Sequence, residues 1–326
     1  MYEIERAQGI ALEVAILVRV IFPADPDQED PLDELEGLAR TAGTQVVGGI
    51  IQRRSKPNLA TFLGKGKLQE LEFLVDNHDA DLVIFDNDLT PAQTRNLERA
   101  LKRKVLDRTE LILDIFASNA RTRESRLAVE LAQLEYSLPR LKHMWTHLSR
   151  MKMGVGMRGP GEKQLETDRR LVEKRIVDLR RELKVIEGRK ERQVSSRDDV
   201  MTVSLIGYTN AGKSTLMNTL TDAGVTAADK LFATLDTRTR RWQLPNWGPV
   251  LLSDTVGFIR NLPTELIEAF KSTLETVQDA DLLLQVVDAN DDFEAHLRTT
   301  QQVLEDLGAN RIPVQLVFNK TDQADP

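Results

Sequence analysis

The part of this chain that most constrains its fold is the octapeptide Gly207-Tyr208-Thr209-Asn210-Ala211-Gly212-Lys213-Ser214. It follows the apolar run Thr202–Ile206 and precedes a helical pattern over Thr215–Leu220, so a buried strand should enter the loop and a helix should leave it. Glycines let backbone N–H groups curl around phosphates, and the helix N-terminus adds a positive dipole end. The octapeptide and Thr215 therefore predict a phosphate-binding loop, in which Lys213 neutralises β- and γ-phosphate charge and Ser214 offers a hydroxyl to Mg²⁺.

Two later motifs extend this prediction. Asp254-Thr255-Val256-Gly257 ends a strand, where an aspartate can hold Mg²⁺ and the Gly257 N–H can approach a γ-phosphate. Asn319-Lys320-Thr321-Asp322 closes the apolar run Val314–Phe318. The carboxylate of Asp322 can accept two hydrogen bonds from guanine, whereas adenine presents no such donor pair. The three motifs in this order predict a GTPase that binds GTP and GDP with Mg²⁺.

The loop between the first two motifs should contain a threonine that closes on Mg²⁺ when the γ-phosphate is present. Thr234, Thr237 and Thr239 all qualify, and their spacing does not choose among them. Phe258 stands where Ras-like enzymes place a water-orienting glutamine, so intrinsic hydrolysis should be slow unless another group acts. The amide of Asn210 is either a ligand for K⁺ beside the phosphates or a partner of its own loop.

The pattern before the octapeptide predicts two further domains. Short apolar strands alternate with helices up to Phe116, which favours a small α/β domain over residues 1–118. The predicted strands are Glu13–Ile21, Gln45–Gln52, Leu82–Phe85 and Val105-Leu106, and the predicted helices are Leu32–Ala42, Leu68–Asn77 and Pro91–Lys102 with Thr90 as N-cap.

Residues 119–194 should form an antiparallel helical hairpin. Apolar residues recur at heptad spacing in two series, Leu127 to Leu148 and Leu165 to Ile186, and such seams pack helices together. A glycine-rich tip, Met153–Gly161, separates the series, and Pro139 should kink the first helix. Residues 195–326 are then a G domain with a mostly parallel sheet and helices on both faces, including a hairpin turn at Pro245–Gly248.

Charge and composition restrict partners and compartment. The chain carries a net charge of −7, yet residues 140–192 hold 16 Lys/Arg against 8 Asp/Glu. This local excess indicates either a basic face for RNA or a solvated helix pair rich in ion pairs. The absence of cysteine excludes disulfides and thiolate metal sites. No apolar run reaches the length of a membrane span, and no signal peptide is recognisable, so we expect a cytoplasmic protein.

The chain resembles the HflX family of GTPases. The similarity lies in Gly154–Arg170, Phe116–Glu124, Phe232–Asp236 and Asp254–Phe258. The resemblance implies an N-terminal HflX domain, a helical hairpin and a translation-factor-class G domain. It also implies binding to the large ribosomal subunit and its rRNA, and splitting of stalled ribosomes. It designates Thr234 as the switch threonine, adds Phe232 to the nucleotide contacts, and leaves Lys213, Thr234 and Gly257 as the catalytic set.

Two candidate sites lie outside the G domain. Gly64-Lys65-Gly66-Lys67 opens a helix and either cradles a phosphate of RNA or of ATP, since the family is associated with an ATP-linked activity, or is an exposed turn. The candidate RNA contacts in the hairpin are Arg158, Lys163, Arg169 and Arg170. The alternatives to a ribosome-associated GTPase are an ATP-driven RNA remodeller and a nucleotide-gated RNA-binding adaptor. Because the chain stops four residues after Asp322, we expect a truncated G domain.

Overall fold

The structure is a computed structural model that describes residues 13–25, 30–150, 160–194, 200–221, 231–260, 271–290 and 292–323. The chain forms two compact units. Unit 1 contains the residues up to Ile115 together with Tyr136–Glu173, and unit 2 contains Phe116–Glu135 together with the residues from Lys174 onward. The three-domain division remains a prediction.

Unit 1 is built on a four-stranded parallel sheet with the order β2-β1-β3-β4. The core contains apolar side chains from the strands and from the helices packed against them, as the alternating pattern predicts. The elements of this part are β1 (Val14–Ile21), α1 (Asp33–Thr41), β2 (Gln45–Arg53), α2 (Lys65–Asn77), β3 (Leu82–Phe85), α3 (Pro91–Leu101), β4 (Lys104–Asp107) and α4 (Arg108–Asn119).

Two helices of this part show what the sequence pattern reveals and what it does not. Thr90 caps α3 as predicted, in a capping box in which its hydroxyl accepts from the Gln93 N–H and the Gln93 side chain accepts from the Thr90 N–H. Helix α4 was not predicted. Most of its apolar residues are buried, including the consecutive run Leu111–Leu113, so the sequence lacks the polar stripe that identifies an amphipathic helix.

Two long helices follow, α5 (Arg123–Arg150) and α6 (Pro160–Val194). Helix α5 includes Pro139, and the kink expected there remains a prediction. In unit 2 the two helices run antiparallel, because Arg123 pairs with Glu182 and Arg175 pairs with Glu130. The seam there is formed by predicted heptad residues, each at most 7% exposed: Leu127, Leu131, Ile176 and Leu179. The predicted glycine-rich tip lies outside the described residues, apart from the start of α6.

The rest of unit 2 holds a five-stranded sheet with the order β6-β7-β5-β8-β9. It is parallel except for β6, which pairs with β7 as the predicted hairpin, with Leu244 opposite Gly248. The elements are β5 (Thr202–Gly207), α7 (Lys213–Thr221), β6 (Arg238–Leu244), β7 (Gly248–Asp254), α8 (Lys271–Gln278), β8 (Leu282–Asp288), α9 (Phe293–Asp306) and β9 (Val314–Asn319).

This topology positions the predicted motifs. The parallel strands β5, β7, β8 and β9 end at one edge of the sheet, where open α/β sheets bind their ligands. All three motifs follow the carboxyl ends of these strands. Among the described residues, no helix has the length and apolarity needed to cross a bilayer.

Candidate nucleotide-binding site

The loop between β5 and α7 has the backbone conformation that its glycines predict. Gly207 has φ of +140° and Gly212 has φ of +93°, a region that side chains disfavour. A Cβ at Gly207 would collide with the Val286 carbonyl, and one at Gly212 would collide with Asn319 Nδ2. Asn210 also has a positive φ, +63°, and its exposed side chain lines the cleft above the loop.

Lys213 lies beneath this loop at the first residue of α7 and is only 6% exposed. Its Nζ donates to the carbonyl oxygens of Tyr208, at 2.8 Å, and of Gly207, at 3.1 Å. Burial lowers the pKa of the Lys213 ammonium to about 8, against the opposing charge of Asp254. The loop therefore holds a cation whose charge is poorly solvated and which an anion would stabilise.

Three oxygen atoms meet beside Lys213. Ser214 Oγ lies 2.8 Å from Thr234 Oγ1 and donates to Asp254 Oδ2 at 2.6 Å, and Thr234 Oγ1 donates to the same carboxylate oxygen at 3.2 Å. Asp254 Oδ1 is buried and has no hydrogen-bond partner in the described part of the chain. Hydroxyl and carboxylate oxygens are the hard ligands that Mg²⁺ prefers, so this set fits the ion. Thr239 instead lies in β6 and shares a hydrogen bond with Ser253.

A cleft joins these groups. Gly257 borders it without a side chain, because a Cβ there would lie 2.6 Å from Thr209 Cα and 3.0 Å from Lys213 Nζ. Sequence reasoning missed Ala233 and Thr255, which lie beside predicted residues and carry no distinctive chemistry. The full lining is Thr209, Asn210, Gly212, Lys213, Ser214, Thr215, Phe232, Ala233, Thr234, Thr255 and Gly257.

Other predicted residues lie behind the loop. The ring of Phe258 is 1% exposed, and its backbone pairs with the loop through Thr209 N to Phe258 O and Phe258 N to Gly207 O. Phe258 therefore supports the loop instead of facing the cleft. The ring of Tyr208 stacks on His296 at 3.6 Å, so only the backbone of Tyr208, like that of the buried Ala211, is available to a ligand.

The third motif reaches the same loop. Asn319 Nδ2 donates to the Ala211 carbonyl at 3.0 Å, and Asp322 is exposed at the surface. Lys320 Nζ pairs with Asp288 at 2.6 Å, and Asn290 Nδ2 donates to the Lys320 carbonyl. Burial opposes ionisation of Asp288, but its hydrogen bond and ion pair with Lys320 hold the pKa of the carboxyl below its usual value. Sequence reasoning missed Asp288 and Asn290, although both follow β8 at this edge of the sheet.

The predicted N-terminal motif does open a helix, since Gly64 precedes α2, which begins at Lys65. The Gly64 N–H donates to Gln52 Oε1 at 3.0 Å, and Lys67 Nζ pairs with Glu70 at 2.8 Å. Lys65 and Gly66 are exposed. Two of the groups that would bind a phosphate therefore already have partners in the protein, which does not favour the ATP interpretation.

The basic stretch of the hairpin is partly paired. Arg169 pairs with Glu173 along α6 at 2.9 Å, Arg175 and Arg180 pair with glutamates of α5, and Arg170 is exposed. Arg158 and the side chain of Lys163 lie outside the part of the chain that the structure describes. Ion pairs thus neutralise part of the positive excess, while Arg170 lies at the surface.

Comparison with known proteins covers nearly the whole chain. Three family models match: "GTP-binding GTPase N-terminal" over residues 29–117, "GTP-binding GTPase Middle Region" over 119–197 and "50S ribosome-binding GTPase" over 202–320. The GTPase HflX of Flavobacterium psychrophilum is 48% identical over 97% of this chain and 77% of that protein. The GTPase HflX of Caldanaerobacter subterraneus subsp. tengcongensis is 50% identical over 95% of this chain and 73% of its own length.

A solved structure supports the fold. The crystal structure of the SsGBP and GDP complex matches with a TM-score of 0.55 and 26% identity. The match covers 96% of this chain and 84% of SsGBP.

Proposed function

This chain belongs to the HflX family of GTPases, and from that membership we propose a ribosome-associated enzyme that binds the large ribosomal subunit and splits stalled ribosomes. Its site is the cleft above the β5–α7 loop, which takes GTP with Mg²⁺ and releases GDP and phosphate. We place this activity in the cytoplasm.

One observation carries the proposal for the site. Ser214, Thr234 and Asp254 come from three separate segments, yet their oxygen atoms lie within 3.2 Å of one another, beside a buried lysine. These oxygen atoms would hold Mg²⁺, which when bound would supply positive charge against the negative charge that develops during phosphoryl transfer. Ser214 and Asp254 would hold it in both nucleotide states, and Thr234 would join them when the γ-phosphate is present.

The remaining residues divide the recognition of GTP. Lys213 exchanges its two carbonyl partners for phosphate oxygens, and the backbone N–H groups of Gly212 to Thr215, together with that of Gly257, surround the phosphates. The Thr209 N–H stays bonded to the Phe258 carbonyl. Asp322 selects guanine, Asn319 holds the base-recognition loop against the phosphate loop, and Lys320 holds it against Asp288 at the end of β8. Asn210 borders the cleft where a K⁺ ion would lie beside the phosphates, so replacing it should remove any potassium dependence.

The proposed enzyme is slow until it binds its partner. Phe258 is buried and apolar, so it orients no water. We expect turnover of about 10⁻⁴–10⁻³ per second for the isolated protein, the scale of GTPases that await an activator. The large subunit then orders the loop around Thr234 or contributes a polar group, and the rate rises.

The hairpin supplies the contact with rRNA in this proposal. Arg170 is exposed, and Arg158, Lys163 and Arg169 belong to the same basic stretch. Replacing these four residues by alanine should weaken ribosome binding and reduce its salt dependence, by roughly one unit of slope for each phosphate that the hairpin no longer neutralises. GTP binding in the absence of ribosomes should not change.

The decisive experiment measures phosphate release under multiple-turnover conditions, with GTP or ATP, alone and with purified large or small subunits. We expect hydrolysis of GTP only, stimulated by large subunits. Light scattering of 70S ribosomes reports splitting under GTP, GDP and a non-hydrolysable analogue. Lys213→Ala should reduce GTP turnover by about 10²–10³-fold, because it removes a preorganised charge. Lys67→Ala is the matched control and should leave GTP turnover unchanged.

The outcomes separate the alternatives. ATP hydrolysis that is lost in Lys67→Ala would support the ATP-driven RNA remodeller. Tight GTP binding without multiple turnover would support the nucleotide-gated adaptor. Fast phosphate release that large subunits do not change would refute the proposed activation.

A further inference from the structure

Inside unit 2, the segment that carries Thr234 is attached to the junction between α4 and α5. We infer that this junction positions Thr234, so that loading of the metal–phosphate site is coupled to the N-terminus of α5. The residues that make the attachment are Phe116, Asn119, Arg121 and Thr122 on the junction, and Phe232 and Asp236 on the segment. The inference rests on the proposed function and adds positioning residues to it.

The first attachment lies two residues before Thr234. The rings of Phe116 and Phe232 meet edge to face, with centroids 4.8 Å apart, and are 2% and 1% exposed. Asn119 Nδ2 donates to the Phe232 carbonyl at 2.9 Å, and the Phe232 N–H donates to Thr209 Oγ1 at 2.8 Å. Phe232 thus contacts the phosphate loop and the junction at once, with φ of +55°.

The second attachment lies two residues after Thr234. The Asp236 carboxylate accepts from Arg121 N at 3.1 Å, from Thr122 N at 3.3 Å and from Thr122 Oγ1 at 2.7 Å. Thr122 Oγ1 also accepts from Ser125 N at 3.1 Å, which caps α5. Asp236 therefore completes the N-terminus of α5 with a negative charge, where the helix dipole favours one.

The coupling follows from these positions. Thr234 has attached residues two positions away on either side, so its hydroxyl is held 2.8 Å from Ser214 Oγ without contributing to the attachment. A ligand that moves Thr234 toward the metal site must either keep the contacts of Phe232 and Asp236 with the junction or move both residues together. Coupling between two sites is reciprocal. If GTP binding stabilises the capped N-terminus of α5 by some factor, then stabilising that N-terminus raises the affinity for GTP by the same factor.

The test compares affinities for Mg²⁺ with GDP and with a non-hydrolysable GTP analogue. Thr234 holds the metal only when a γ-phosphate is present. Asp236→Ala should therefore lower the affinity for the analogue about tenfold and change the affinity for GDP by less than twofold. Thr122→Val, which loses the hydroxyl, should act in the same direction, and Thr122→Ser should restore the wild-type ratio. Asp292→Ala is the matched control: it removes another N-cap of unit 2, that of α9, and should change neither affinity.

Two further measurements decide whether the effect passes through Thr234. In a Thr234→Ala background, Asp236→Ala should no longer change the ratio of the two affinities. Hydrogen exchange at the Arg121 and Thr122 amides should be slower with the analogue than with GDP, and this difference should vanish in Asp236→Ala. An equal loss of both affinities, or an unchanged ratio in a variant that folds, would overturn the inference.

The wild-type chain separates this inference from the proposed function. If it fails to hydrolyse GTP or to respond to large subunits, the proposed function is wrong. If it does both while Asp236→Ala keeps the wild-type ratio, only the coupling is wrong.

Discussion

Lys213 should link nucleotide binding to proton uptake. Its ammonium is buried and donates to two carbonyl oxygens, and burial lowers its pKa from 10.5 to about 8 although the charge of Asp254 opposes the shift. A pKa lowered to about 8 corresponds to roughly 3 kcal/mol of lost charge stabilisation. Phosphate oxygens should restore this stabilisation, so the bound state keeps the proton well above pH 8.

The magnitude follows from these two states. At pH 8.5 about three quarters of the free protein lacks the Lys213 proton, so binding should take up about 0.75 proton. The affinity for GDP should fall about threefold between pH 7.5 and pH 8.5. Calorimetry in two buffers of different ionisation enthalpy measures the uptake directly.

The control is Lys213→Arg, whose guanidinium stays protonated throughout this range. Its affinity for GDP should be independent of pH over the same interval, even if its absolute value is lower. The same linkage acts on folding: the unfolded chain binds the Lys213 proton more tightly, so this residue adds stability as the pH rises from 8 to 10.5. Proton uptake near zero at pH 8.5, or equal uptake by Lys213→Arg, would show that burial does not depress this lysine.

Three further predictions concern single residues. Gly257→Ala places a Cβ 2.6 Å from Thr209 Cα and should lower the GTP turnover at least about tenfold, whereas Gly188→Ala, whose Cβ meets nothing within 4 Å, should preserve turnover and stabilise α6 by roughly 0.5–1 kcal/mol in urea titrations. Burial and two neighbouring carboxylates raise the pKa of Glu110 to about 7. Glu110 therefore destabilises the fold increasingly as the pH rises from 4.5 to 7, and Glu110→Gln should raise the free energy of unfolding by about 3 kcal/mol at pH 8 but by less than about 1 kcal/mol at pH 5. Asp322→Asn should weaken GTP binding by about 1–3 kcal/mol in a competition assay. Equal competition by ATP and GTP in the wild type would contradict the role of this carboxylate.

The sequence was sufficient for the fold of the phosphate loop because local chemistry determines it. Two positions in the loop, Gly207 and Gly212, need a positive φ, and a strand and a helix adjoin the loop. Few other loop conformations satisfy these requirements. The N-cap of α3 at Thr90 was predictable for the same reason. Helix α4 was not, since its buried surface erased the amphipathic pattern.

Interactions between distant residues were beyond sequence reasoning. Asp236 and Thr122 are separated by more than a hundred residues, and neither occupies a position whose spacing indicates the other. The choice of Thr234 over Thr239 likewise came only from resemblance, because both threonines suit a switch loop. The structure distinguishes them by what lies beside each hydroxyl: Ser214 and Asp254 for Thr234, and Ser253 for Thr239.

The way in which α5 is shared has a consequence for synthesis of the protein. Unit 1 recruits Tyr136–Glu173, which emerges from the ribosome after Phe116–Glu135, the first piece of unit 2. The first piece of unit 2 cannot complete its fold until the chain from Lys174 onward has been synthesised. Domains generally fold in order of synthesis, but here neither unit is complete until the chain has crossed between them. The nascent protein should therefore depend on chaperones until the strands of the unit 2 sheet are translated, and a premature stop before Tyr136 should leave both units unfinished.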